Sequence, residues 1–98
     1  MSKRMCLFWL VLVFFSFSIS GCYYFSARNE MKAAEKLISE LKGAGGATLV
    51  PYEYTSAEKF LEVSNMEFDE NDYKAAKELA IRSKSAAQAG LTEVKKKK

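Results

Sequence analysis

The chain has 98 residues, so it holds at most one small domain, and at 49% hydrophobic and 28% charged it is not a disordered polypeptide. It has no His, which removes the commonest general base and the commonest metal ligand. Its 15 Lys plus Arg outnumber 12 Asp plus Glu. That excess lies at the two ends, so a basic nucleic-acid-binding domain is excluded.

Lys3 and Arg4 form a short positive region, and an almost unbroken apolar run extends from Met5 to Ile19. This is the layout of a signal peptide, and the charge placement predicts export of the downstream chain. The run ends in Ile19-Ser20-Gly21-Cys22. This tetrapeptide resembles a bacterial lipobox: an aliphatic residue, two small residues, then Cys. The resemblance implies signal-peptidase cleavage between Gly21 and Cys22, a diacylglyceryl group on the Cys22 thiol and usually an acyl group (palmitate or similar) on its new amine. Each buried acyl methylene contributes ~0.8 kcal/mol, and two or more chains anchor stably where one does not. The competing reading is an uncleaved anchor, since Met5 to Phe25 spans 21 residues, enough to cross a bilayer. Both readings place residues 26–98 on the same side. Cys6 would leave with the signal, so the mature chain keeps Cys22 alone and forms no internal disulfide. Position 23 is Tyr and not Asp. By the sorting pattern of enteric bacteria, this resembles a lipoprotein of the outer membrane that faces the periplasm.

Removing residues 1–21 leaves 13 basic against 12 acidic residues, and four of the basic ones are Lys95, Lys96, Lys97 and Lys98. Residues 22–94 carry 9 basic against 12 acidic. The mature protein is therefore a mildly acidic body with a basic tail.

The first helix is predicted over about 24–42. Ala27, Met31, Ala34, Ile38 and Leu41 recur in steps of four and three, with Ala33 and Leu37 widening the stripe. Gly43 is a natural stop after Lys42. Gly43 to Ala47 reads as a flexible loop. It fails as a phosphate-binding turn, because Thr48 stands where a third Gly is needed and a helix, not a strand, precedes it. A second helix is expected over about 51–66, opened by Pro51 and lined by Ala57, Phe60, Leu61, Ser64 and Phe68. The acidic stretch from Glu67 to Asp72 lacks the Gly and terminal Glu of a calcium loop, so it reads as a turn in which Asn71 or Asp72 caps the next helix. A third helix is expected over about 72–89. Its inner face carries Tyr73, Ala76, Leu79, Ala80, Ser83, Ala86, Ala87 and Gly90, and Glu78 and Arg82 are spaced to pair.

The second and third predicted helices also resemble short exported alanine-rich proteins known as domain of unknown function 4398, a resemblance that covers about residues 30–90. The matching residues are Pro51-Tyr-Glu-Tyr54, Ser56-Ala-Glu58, Phe60-Leu61, Asp72-Tyr73, Ala75-Ala76 and Ala80. That resemblance implies helical hairpins similar to half of a tetratricopeptide array, often on a lipoprotein of the bacterial envelope.

The expectation is an all-α protein: signal peptide 1–21, a small three-helix, tetratricopeptide-like bundle over 22–94, and a basic tail over 95–98. No catalytic residue, cofactor or metal site is assigned. Tyr52, Tyr54, Phe60 and Tyr73 read as core and not as a ligand box. Tyr23, Tyr24 and Phe25 suit either the membrane interface or continued helix packing. The expected function is a non-enzymatic, lipid-anchored envelope protein with a structural or interaction domain, completed by self-association or by an envelope partner. One alternative is a membrane-to-peptidoglycan tether acting through Lys95, Lys96, Lys97 and Lys98. Its layout is similar to that of the murein lipoprotein, whose terminal Lys is joined to the wall, and Lys98 would take that part. The same lysines would also suit anionic lipid, at ~1 kcal/mol each near the surface. Another alternative is an adaptor subunit of an envelope complex.

Overall fold

The computed structural model describes residues 3–97, without the side chains of residue 4 and residues 15–22. Four helices occupy it: α1 (Lys3–Gly43), α2 (Gly46–Leu49), α3 (Pro51–Asp69) and α4 (Tyr73–Lys97). Among the described residues there is no strand. The lipobox side chains of Ile19, Ser20, Gly21 and Cys22 lie outside the described set, and so does Lys98.

The apolar run and the first amphipathic segment, separate units by sequence expectation, form one rod. α1 contains no Pro, and neither Gly21 nor Cys22 interrupts it. Its 41 residues give a length of about 61 Å and account for most of the 71 Å long axis. Every apolar side chain described between Met5 and Phe14 is exposed, from 46% to 76%. Among the described side chains, Tyr23 and Tyr24 are the first to be partly buried and Ala27 the first to be fully buried. Among the described residues, no helix is long and apolar enough to cross a membrane.

From residue 23 onward three helices pack side by side. α4 lies against both α1 and α3, which touch each other less. Tyr24 meets Phe68 and Tyr73 at one end, while Leu41 meets Val94 and Val50 at the other. α1 and α4 are therefore parallel, and α3 runs antiparallel to both.

The seams are built from small residues at heptad spacing. Ala27, Ala34 and Leu41 are buried on α1, and Ala57 and Ser64 on α3. On α4 the buried series is Ala76, Ala80, Ser83, Ala87, Gly90 and Val94, in alternating steps of four and three. Such positions let backbones come close, and two hydrogen bonds report how close. The Ser64 hydroxyl donates to the Ala76 carbonyl at 2.6 Å, and the Ser83 hydroxyl donates to the Ala57 carbonyl at 2.7 Å. The arrangement is reciprocal, since each serine lies seven residues after the alanine whose carbonyl the other serine binds. Ser83→Ala should cost only ~1 kcal/mol, because a helical carbonyl keeps its ladder bond. Ser83→Leu should cost more, up to ~3 kcal/mol, by wedging α3 from α4. Urea midpoints of the two variants check that order.

The α3–α4 turn is explained by its residues. Asn71 has φ 66°, a left-handed conformation that Asn tolerates well. The Asp72 amide donates to the Glu67 carbonyl at 2.9 Å, and the Asn71 amide to the Phe68 carbonyl at 3.0 Å, which is a Schellman closure. Asp72 then caps α4 by accepting from the Ala75 amide at 3.2 Å.

Three boundaries differ from the sequence expectation. α3 runs to Asp69 and not to about 66, because Phe68 is held by Tyr24 and Tyr73. α4 runs to Lys97 and not to about 89, because Gly90 and Val94 are buried and keep the helix on the bundle. The Gly-rich connection is not a plain loop: Gly45 takes φ 86° and a helical turn begins at Gly46. The expected Glu78–Arg82 pair does not form. Among the described residues the ion pairs are Lys59–Glu62, Lys96–Glu93 and the interhelical Lys84–Glu30 at 2.7 Å.

Candidate functional site

The bundle has two unlike poles. The first lies at the join with the apolar rod, immediately after position 22. Tyr24 is packed on Phe68 and Tyr73 with ring centroids 5.2 Å from each, so it continues the helix packing. Arg28 sits 5.9 Å over the Tyr24 ring and donates to its hydroxyl at 3.2 Å. Lys77 lies 5.8 Å from the Tyr23 ring. Phe25 alone of the three points outward, 68% exposed. The exposed acids Asp69, Glu70 and Asp72 lie at this same end.

The second pole lies where α1 ends, α2 turns and α4 finishes. Lys42 stands in the last turn of α1, and Lys95, Lys96 and Lys97 in the last turn of α4. These three lysines, expected as a tail beyond the helix, instead belong to it. Together with Lys42 they place positive charge at two helix C-termini, which complements the negative ends of the helix dipoles. Lys96 pairs with Glu93 at 3.5 Å, and the Lys97 ammonium donates to the Leu49 carbonyl at 2.7 Å. That bond ties the last turn of α4 to the residue two before Pro51.

Beside this pole, the first turns of α3 carry a groove of about 500 Å³ lined by Pro51, Tyr52, Thr55, Ser56, Lys59 and Phe60. Tyr52, expected in the core, is 79% exposed. Its place opposite Ala57 and Ser64 on the helix wheel turns it outward, a register that its aromatic character obscured. Phe60 is half-buried, and Tyr54 packs against the Leu41, Val50 and Val94 cluster. A hydrogen bond to the Glu58 carboxylate raises the Tyr54 phenol above its ordinary pKa. A second, smaller groove of about 310 Å³ lies between α1 and α3, lined by Arg28, Met31, Lys32, Glu35 and Phe68.

Among the described residues no group of His, Cys, Asp or Glu is placed to hold a metal ion. No protein-family model matches this chain, and no curated protein or solved structure matches it.

Proposed function

We propose that this is a non-enzymatic lipoprotein of the bacterial cell envelope, anchored by acyl chains on Cys22, with its helical body facing the periplasm. The observation that carries the reading is the break in role along α1. The apolar side chains described over residues 5–14 are exposed, and the next described side chains, Tyr23 and Tyr24, are partly buried. Cleavage between Gly21 and Cys22 would thus remove the exposed apolar residues 5–14 and leave every buried seam residue described from Ala27 onward. The tyrosine after Cys22 supports sorting to the outer membrane. The body would serve as a structural or interaction module, similar in its α3–α4 hairpin to half of a tetratricopeptide array.

The intact mass of protein taken from membranes tests this. A chain starting at Cys22 and carrying acyl mass is the expected result. A full-length mass would mean an uncleaved anchor and would overturn the lipid assignment.

The tether alternative is favoured by one observation. Tyr73 lies at the anchored pole and Lys97 lies 24 residues along α4, about 36 Å away. Charges that far from a membrane surface are screened at physiological ionic strength, where the Debye length is ~8 Å. With the body standing off the membrane, the lysines would lie beyond the reach of the surface that holds Cys22.

A further inference from the structure

We propose that the membrane-distal pole is a non-covalent binding site for peptidoglycan, in which Tyr52 stacks on a sugar ring and the lysines of the last turn of α4 pair with peptide carboxylates. The inference rests on the reading of Cys22 as the anchor, because that reading makes this pole distal.

Groove chemistry is the first support. Its wall is almost wholly apolar, made by Pro51, the rings of Tyr52 and Phe60 and the aliphatic parts of Thr55, Ser56 and Lys59. An exposed ring on an apolar floor suits the apolar face of a pyranose. Tyr52 is free for this use, since at 79% exposed it contributes nothing to the core.

Charge is the second support, and it is independent of the groove. Lys97 is pinned to the Leu49 carbonyl, so the last turn of α4 is held beside the start of α3. Lys95 and Lys96 are exposed there, and Lys42 closes the same pole from α1. Among the described residues Lys42 and Lys95 form no ion pair, while Lys96 pairs with Glu93. Part of the lysine charge offsets the C-terminal dipoles of α1 and α4. What remains favours several weak contacts along a polyanion over one tight site, so binding should be salt-sensitive.

Orientation is the third. Exposed Asp69, Glu70 and Asp72 occupy the anchored pole. The lysines of the last turn lie about 36 Å from that end along α4. A polymer of sugars cross-linked through carboxylate-bearing peptides fits both halves of the distal surface.

The test is co-sedimentation of detergent-purified full-length protein with purified insoluble peptidoglycan. Binding is expected, and Tyr52→Ala and the double variant Lys95→Glu/Lys96→Glu should each weaken it by about tenfold, the equivalent of ~1.4 kcal/mol. Tyr52→Phe should retain it, and the anchored-pole control Lys74→Glu should leave it unchanged. Raising salt from ~50 to ~500 mM should release most of the bound protein. Helical circular dichroism should not change in any of these variants, because all four positions are exposed.

No sedimentation, or binding indifferent to Tyr52→Ala and to salt, would overturn the proposal. A muropeptide mass increment on a lysine would replace it with a covalent link. Were the double variant instead to abolish a preference for anionic over zwitterionic vesicles, the lysines would belong to a facing lipid surface. The acyl mass at Cys22, read on the same sample, reports separately on the anchor.

Discussion

Leu41→Ala is expected to cost about 2–5 kcal/mol and to leave the body at the edge of unfolding. Leu41 is fully buried and, among the described residues, is the largest side chain so enclosed. It sits where all four helices converge, in a cluster with Val50 and Val94, with Ala44, Leu49, Tyr54 and Leu91 packed around it. The remaining fully buried positions are mostly alanine and serine, which contribute little apolar area each. A single core in a chain this small rarely supplies more than ~3–5 kcal/mol. The loss should appear as a large drop in urea midpoint. Gly90 makes the prediction sharper. A Cβ at Gly90 would lie 2.8 Å from Leu41 Cδ2 and 3.2 Å from Glu53 Cβ. In the wild-type background Gly90→Ala should destabilise, since the clash outweighs the ~1 kcal/mol of helix propensity it brings. In the Leu41→Ala background the closest obstacle is gone, and the same change should stabilise. A coupling of ~1 kcal/mol or more in the double-mutant cycle is the expected reading.

That dependence on Leu41 explains which parts of the fold the sequence could announce. The stripes on all three long helices were legible, because Ala27, Ala34, Ala57, Ala76, Ala80 and Ala87 fall on heptad-like spacing and each is buried. Asp72 was legible as a cap, since local side-chain chemistry decides it. Two features were not legible because they depend on contacts distant in sequence. Gly90 looks like a helix weakener by propensity, yet α4 passes through it because Leu41 fills the space a side chain would take. Tyr24 suits membrane interface and core equally until Phe68 and Tyr73 supply its partners from the α3–α4 turn. The lysines illustrate the limit for function. A run of four at a chain end reads as a solvated tail, and only the burial of Val94 and the Lys97 bond to Leu49 turn it into one face of a defined pole.

The Gly-rich joint gives the other large effect. Gly46→Ala is expected to cost about 3 kcal/mol, near the upper end for a small-to-large change. A Cβ there would meet Leu41 Cγ at 2.5 Å, Leu41 Cδ1 at 2.6 Å and the Leu41 carbonyl oxygen at 2.7 Å. The side-chain atoms could swing aside, but the carbonyl belongs to the last turns of α1 and cannot. Leu41→Ala should therefore fail to rescue Gly46→Ala, in contrast to Gly90→Ala. The neighbouring glycines set the scale. Gly45 has φ 86°, so Gly45→Ala carries left-handed strain of ~1–2 kcal/mol. Gly43 has nothing within 4 Å of its missing Cβ and lies in the last turn of α1, so Gly43→Ala should be neutral or stabilising by up to ~1 kcal/mol. Thermal or urea unfolding of the three variants separates two views of residues 43–47. A flexible loop would tolerate all three changes alike. A built joint, in which α2 is clamped beneath Leu41 so that α3 and the end of α4 meet at the distal pole, ranks them from Gly46 as the most costly to Gly43 as the least.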